Sequence, residues 1–445
     1  MANPEPAQPA AYKGRLLSAV IGGSVGQIFE EYDFFIFSTL AFIFASQIFP
    51  SSNILLSLIY AYAVYAVGFF FRPLGSLIFG GYADKVGRKR ALLITFTIMG
   101  IATVLQGAVP TYAEAGALGA ILLIILRIIQ GTALGGEVPL AMVFLSEVSP
   151  KSRRGFLSSW QGAAGTASGA VASAVGLGLT YYLARGALYS YGWRLGFFIG
   201  GIVLVVGLIF RYRINETPIF QDMVAAKTKA KSITESLRFM LSPGQRRALF
   251  TIIGITIFDG IAFSIFFIYF PTYAKVTLGL SAINAFGFSS AALLITFIMI
   301  PFFAMISDKV GRKPLLYASM IGGIVLTYPL YLLLTTKSLP LIFIGAVSLD
   351  LIFGLFLAVD AAVFNEISGG SSRGATVSFG FTIDQAIFGG LAPFIVTYLL
   401  YTTKSEMSPS FLAIGGAIVS LIFIVFFVKE TKNTELSRGL KPVES

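Results

Sequence analysis

Twelve apolar runs, each long enough to cross a bilayer, follow one another along the chain and leave it few possible folds. They lie at roughly 16–45, 54–82, 91–110, 118–148, 156–184, 195–214, 247–271, 281–306, 315–335, 340–366, 374–401 and 409–428. A helix needs about 20 apolar residues to cross ~30 Å of hydrocarbon, and these runs meet that length. Only 12% of the 445 residues are charged and 56% are hydrophobic. A soluble chain carries roughly twice that charge, and disorder demands far lower hydrophobicity. The expected fold class is therefore all-α, a polytopic membrane protein with twelve transmembrane helices. The chain has no cysteine and no histidine. That removes disulfides, thiol chemistry and the commonest metal ligand, so neither a metal site nor a cofactor is expected.

Lysine and arginine sort the connections between runs into two sets. Alternate connections, together with both termini, hold 25 of the 32 basic residues, whereas the other connections hold Arg185, Arg194, Lys275, Lys337 and Lys404. The remaining two, Arg72 and Arg127, fall inside runs. Both termini are thus expected in the cytoplasm, and the net charge of +11 is a topology signal rather than a nucleic-acid footprint. The opening MANPEPAQPAA is proline-rich and polar and reads as a mobile tail with no cleavable signal.

Two strings recur. Asp84-Lys85-Val86-Gly87-Arg88-Lys89 returns as Asp308-Lys309-Val310-Gly311-Arg312-Lys313, and Glu147 through Arg153-Arg154-Gly155 returns as Glu366 through Arg373-Gly374. The first follows the second run of each half and the other follows the fourth. Two six-span halves explain both: a tail (1–15), a bundle (16–214), a charged connector (215–246), a second bundle (247–428) and a second tail (429–445). Repeats of this kind place a midplane site between halves that rock about it.

The loop string Gly80-Gly81-Tyr82-Ala83-Asp84-Lys85-Val86-Gly87-Arg88-Lys89-Arg90 resembles the signature between the second and third helices of the major facilitator superfamily. Further strings are similar to its metabolite:proton symporter branch, which includes proline/betaine, shikimate, citrate and α-ketoglutarate carriers. They are Glu30-Glu31-Tyr32-Asp33-Phe34, Arg72-Pro73-Leu74-Gly75, Arg127-Ile128-Ile129-Gln130-Gly131, Gly135-Gly136-Glu137, Gly192-Trp193-Arg194, Glu216-Thr217-Pro218, Phe270-Pro271-Thr272-Tyr273 and Phe388-Gly389-Gly390. Three departures fall on Glu31, where these carriers usually have tryptophan, on Ala304, which replaces a glycine, and on Phe381-Thr382, where tyrosine-asparagine is common.

In the loop signature, Gly80, Gly81 and Gly87 permit a tight turn, Asp84 can cap the next helix, and Arg88 faces water. A capped, positive-inside turn accounts for these residues. The resemblance implies a latch as well, with Gly80, Asp84, Gly87 and Arg88 in one half and Asp308, Gly311 and Arg312 in the other. Glu147 with Arg153 and Arg154, and Glu366 with Arg373, either pair across the halves as a gate or neutralise their own loops.

Charges inside spans pair, face a cavity, or work. Eight acids lie at membrane depth, Glu30, Glu31, Asp33, Glu137, Asp259, Asp350, Asp360 and Asp384, against two arginines. At 1.5 Å of rise per residue, Asp33 lies ~4 Å and Arg127 ~9 Å outward of their span midpoints, and Arg72 and Glu137 both lie ~6 Å inward. Two ion pairs, Asp33–Arg127 and Arg72–Glu137, follow. A static buried pair stabilises little. Burial disfavours a charged carboxylate and a neighbouring arginine favours it, so a movable arginine makes an acid that titrates between conformations. Asp33 is expected to carry the proton and Arg127 to tune it, with Glu30 on the same helix face. Glu137 is either a second proton site or the partner of Arg72. Glu31 is expected to point elsewhere, either at a helix contact or as a protonated acid hydrogen-bonded to a neighbour, and Asp360 to belong to a gate. Asp259, Asp350, Asp384 and Gln385 are candidate substrate contacts or neutral acids bonded to hydroxyls. Gln130, Gln161 and Arg72 are further substrate candidates.

The sequence thus points to a proton-coupled symporter importing a small organic acid or zwitterion by alternating access. A sugar symporter, a proton-driven efflux antiporter and a transporter-like sensor are the alternatives. The absence of any Gly-Lys dipeptide leaves no phosphate-binding loop for an ATP-driven pump. No nucleophile, base and metal set marks an enzyme. The expected partners are a small-molecule substrate, protons and the bilayer of the cell membrane, with no nucleic acid, and the chain is expected to act as a monomer.

Overall fold

Inside a bilayer, backbone N–H and C=O groups have no water to bond, so each apolar run closes its own hydrogen bonds as a helix. The computed structural model describes residues 9–86, 88–135, 142–143, 145–146, 149–213, 242–368, 373–432 and 434–436, and their side chains except at 9–25, 29, 77, 80–81, 83–89, 210–211, 213, 243–244 and 373. Its principal helices are α1 (Pro9–Ile48), α2 (Ile54–Phe70), α3 (Arg72–Val86), α4 (Arg88–Gly107), α5 (Leu118–Leu134), α6 (Trp160–Tyr182), α7 (Trp193–Arg213) and α8 (Pro243–Ala262). They continue as α9 (Ala282–Val310), α10 (Arg312–Val325), α11 (Thr327–Thr335), α12 (Leu339–Leu357), α13 (Asp360–Ile367), α14 (Arg373–Asp384), α15 (Gly390–Thr403) and α16 (Ser408–Phe427). By length and composition, nine helices among the described residues can cross a membrane, and the α10–α11 pair, bent by 48°, makes a tenth. Helices α1 and α5 occupy the two other runs marked in the sequence. Helix α1 begins at Pro9, seven residues before the expected 16, because the Ala-Ala-Tyr-Lys that follows has nothing to break a helix.

The outward surface is apolar. Ile202, Phe250 and Phe426 are 65%, 60% and 72% exposed, a belt that only lipid covers at low cost. Inside, the helices approach closely where side chains vanish. A Cβ on Gly131 of α5 would lie 1.8 Å from the carbonyl oxygen of Gly68 in α2, so glycine is what lets these two helices touch.

The two halves meet along two seams, α2 against α15 and α6 against α9. The repeat makes α2 the counterpart of α9 and α6 the counterpart of α15, so the seams are one contact used twice. Hydroxyls fasten the second seam: Ser173 and Ser289 lie 3.0 Å apart, and the Ser290 hydroxyl donates to the Ala170 carbonyl at 3.0 Å.

Candidate functional site

Helices α1 and α5 bring Asp33 and Arg127 together deep in the first half. Arg127 Nη1 donates to Asp33 Oδ2 at 2.9 Å, and both side chains are almost wholly buried. The guanidinium also lies over the Phe37 ring, 4.0 Å from its centroid. The contact is single: Asp33 Oδ1 and Arg127 Nε and Nη2 have no hydrogen-bond partner among the described residues. A monodentate pair leaves most of its desolvation uncompensated, so it is loosely held for a buried pair. Beside Asp33 is a void of about 10 Å³, bordered by Tyr32, Met99, Thr103 and Leu204, room for about one water. Glu30 is buried on the same helix.

A second, central cavity lies between the halves. Gln27, Glu31, Arg72 and Gln161 reach it from the first half and Asp259, Asp360 and Gln385 from the second, with Met142, Phe263, Leu357 and Phe381 as its apolar wall. Breaks in the helices aim several of these groups. The span of α2 and α3 interrupts at Phe71, because Pro73 has no N–H for the ladder, and Arg72 starts the next segment with its guanidinium over the Phe34 and Phe69 rings at 4.3 and 4.0 Å. Helix α12 ends at Leu357, so Asp360 begins α13, where one carboxylate oxygen caps the Ala361 amide at 2.5 Å. Widened π-helical turns follow Asp259 at Phe263–Ile268 and Asp384 at Gln385–Gly389. Such turns recur at functional sites because they shift side chains out of register. The cavity measures about 40 Å³, room for about three waters. Anything larger than a few waters fits only if the cavity widens.

Both ends of the path are shut. At the face carrying the basic loops 151–154 and 309–313, hereafter the basic face, Asp308 accepts the backbone amides of Gly155 and Phe156, each at 2.9 Å. Arg154 pairs with Glu366 at 2.9 Å, and Arg312 lies 2.7 Å from Asp308 and 3.6 Å from Glu366. The tail after α16 joins this network. Thr431 donates to Glu366 at 2.7 Å, Arg154 to the Thr434 carbonyl at 3.1 Å, and Glu430 accepts the amides of Arg312 and Lys313. Gly311 makes that last contact possible at φ 112°, a turn that only glycine takes without strain. Partial burial pushes the Glu430 carboxyl up, but the amides of Arg312, Lys432, Lys313 and Thr431 outweigh it and hold it below its ordinary value. At the opposite face, the Ser38 hydroxyl donates to the Ile268 carbonyl at 3.1 Å and the Tyr62 hydroxyl to Thr272 at 2.9 Å. Aromatic pairs, Tyr62 on Tyr269 and Phe42 on Phe286, both with centroids 5.3 Å apart, fill the space around them.

Several expectations are corrected by this geometry. Glu31 accepts from its neighbour Gln27 Nε2 at 3.3 Å, but it faces the central cavity within electrostatic reach of Arg72 and not a helix contact, because its helix turns that side toward the other half. Asp360 also lines the cavity rather than the gate, since the break after α12 directs it inward. Gln130 donates to Thr103 at 3.0 Å inside the first half and does not reach the cavity. Asp350 is buried near Tyr331, away from it. Asp384 stands behind the wall, close to Asp259 and against Gly260, where a Cβ would lie 3.0 Å from its Oδ2. Gly80, Asp84, Gly87, Arg88, Glu137, Glu147 and Arg373 lie outside the residues whose side chains are described, and with them the Arg72–Glu137 pair. Sequence reasoning missed Gln27, Phe263 and the tail residues Glu430, Thr431 and Thr434. The signal for Glu430 was present, a lone acid between Lys429 and Lys432 just past the last span.

Comparison with known proteins agrees with this architecture. The family model of the Major Facilitator Superfamily matches residues 23–393. The proline/betaine transporter of Escherichia coli is 29% identical over 97% of this chain and 87% of its own length. The citrate-proton symporter of Salmonella typhi is 29% identical over 98% of both chains, and the α-ketoglutarate permease of Escherichia coli is 30% identical over 86% and 88%. Among solved structures, the Escherichia coli xylose transporter in a partially occluded inward-open conformation superposes with a TM-score of 0.75, covering 95% of this chain and 99% of that one at 17% identity. Twelve apolar runs in two repeats, a path closed between the halves and a family match across most of the length lead to one conclusion: the chain belongs to the major facilitator superfamily of membrane transporters.

Proposed function

We propose that this transporter is a proton-coupled symporter that imports a small organic acid or zwitterionic metabolite across the cell membrane by alternating access. The observation that carries the reading is the buried, single-contact Asp33–Arg127 pair. Histidine is absent from the sequence, so the proton rides on a carboxylate. Asp33 carries it, and the approach and withdrawal of Arg127 between conformations couple its transfer to the movement of solute. Relatives named for proton symport and for proline, betaine, citrate and α-ketoglutarate support the substrate range. The two halves, 16–214 and 247–428, rock as bodies about the central cavity, and the excess of lysine and arginine assigns the basic face and both termini to the cytoplasm. Arg72, Gln161, Asp259 and Gln385 contact the substrate, while Arg154, Asp308, Gly311, Arg312 and Glu366 form the gate. The protein works as a monomer.

The test is uptake of a mixed metabolite panel into proteoliposomes under an imposed pH gradient. Asp33→Asn abolishes gradient-driven accumulation and keeps counterflow exchange. Uphill uptake by that variant would remove Asp33 from the scheme.

A further inference from the structure

Resting on that transport reading, we propose that the central cavity takes a zwitterion whose cationic end is a protonated amine bearing N–H bonds, and that it rejects quaternary ammonium compounds and polycarboxylates. Three acids, Glu31, Asp259 and Asp360, reach the cavity against one arginine, Arg72. Among the described residues the cavity offers one cation, so a di- or tricarboxylate brings more carboxylates than it can pair, and a buried charge without a partner is costly.

The acids do not stand alone. Gln161 Oε1 belongs to a side chain only 4% exposed, opens onto the same cavity and has no hydrogen-bond partner. Asp259 Oδ2 and Asp360 Oδ2 are likewise buried without partners. The amide oxygen is an acceptor, and each carboxyl keeps an accepting oxygen whether or not it carries a proton. A buried acceptor left unsatisfied bears its full desolvation penalty, and only an N–H or O–H group relieves it. A primary or secondary ammonium brings at least two N–H groups and a positive charge, whereas a quaternary ammonium brings the charge with no donor. Sites for quaternary ammonium enclose it in aromatic faces. Here only Phe263 and Phe381 among the described aromatic rings reach the cavity. On the same cavity, Arg72 Nε and Nη2 are buried donors with no hydrogen-bond partner among the described residues, matched to one carboxylate. A Cβ on Gly165, which also lines the cavity, meets nothing within 4 Å, so space for the solute's body opens there.

The full-length protein in proteoliposomes is offered the twenty common amino acids singly, the counterpart of each one transported with its α-nitrogen methylated to the quaternary state, citrate and 2-oxoglutarate. Uptake is read under an inward proton gradient and then by counterflow without one. At least one amine zwitterion is expected to enter about tenfold or more faster than its quaternary counterpart, with no uptake of citrate or 2-oxoglutarate. Asp259→Asn and Asp360→Asn are each expected to weaken apparent affinity for the amine about tenfold in counterflow. Where either variant fails to give a monodisperse protein, Gln161→Ala replaces it, with an expected loss of about fivefold. Equal or faster uptake of the quaternary compound, uptake of either polycarboxylate, or uptake of no amine overturns the inference. Gradient-driven citrate uptake overturns it while leaving proton symport intact. Amine exchange indifferent to the gradient does the reverse.

Discussion

At the basic face the halves are joined by charge, with Asp308 on the amides of Gly155 and Phe156 and Arg154 on Glu366, while Glu430 on the amides of Arg312 and Lys313 holds the tail against the second half so that its Thr434 carbonyl meets Arg154. At the opposite face they are joined by hydroxyls and rings, Ser38 on Ile268 and Tyr62 on Thr272 and Tyr269. Removing one member of a buried ion pair costs about 3–5 kcal/mol, and a neutral hydrogen bond contributes about 1 kcal/mol. The basic face is therefore the firmer closure, and opening it requires the larger compensation. Opening at the basic face is the step where binding energy has the most to offset. The two closures differ in repair as well. A lost ring contact can repack, whereas a lost charge leaves its partner stranded.

That contrast can be broken at either end. The chain has no cysteine, so a cysteine placed at Gly165, in open space on the cavity wall, reports its accessibility to a thiol reagent without background. Glu366→Gln should have the largest effect, because it deprives Arg154, Arg312 and Thr431 at once. Labelling from the basic face should rise by about two orders of magnitude or more. Asp308→Asn retains the shape and loses the charge on two amide contacts, which are worth about 1.5–3 kcal/mol each. Its labelling should rise by about tenfold or more from the same face, and no change would mean that the two amide contacts are incidental. Tyr62→Phe removes only the hydroxyl bonds to Ser38 and Thr272, so labelling from the opposite face should rise about fivefold. If Tyr62→Phe opened its face more than Glu366→Gln opened the other, the ranking of the two closures would be reversed.

The smallest expected effect is that of pH on the tail contact. A carboxyl held below its ordinary value in the folded protein contributes stability above its unfolded pKa and loses it as pH falls through the folded one. For Glu430 that window lies on the acid side of the ordinary carboxylate range. In the Asp33→Asn background, which silences the proposed proton site, labelling from the basic face should therefore be constant from about pH 5.5 to about pH 8. A rise toward pH 5.5 would show that another group, not Glu430, holds the tail.

The spans were legible because a 3.6-residue repeat inside hydrocarbon allows no alternative backbone. The Asp33–Arg127 contact could be drawn from rise per residue alone, since two charges at similar depth in a small bundle have few other places to go. Glu31 and Asp360 could not be placed in this way. Height along a helix fixes depth, while the facing direction depends on how each helix is rotated by its neighbours and where it breaks. The tail contacts of Glu430 and Thr431 were hidden for a related reason: a polar segment outside the membrane follows no periodicity, and only the partner surface fixes its path.

Composition and the doubled loop string by themselves determined a twelve-span, two-half membrane protein, because burying uncompensated backbone or charge in lipid is so costly that few arrangements remain. The tertiary structure alone decided which acids share a cavity, which face is closed by charge and that the tail belongs to the closure. Those outcomes depend on helix rotation and packing across the seams, where alternatives differ by a few hydrogen bonds and sequence periodicity does not distinguish them.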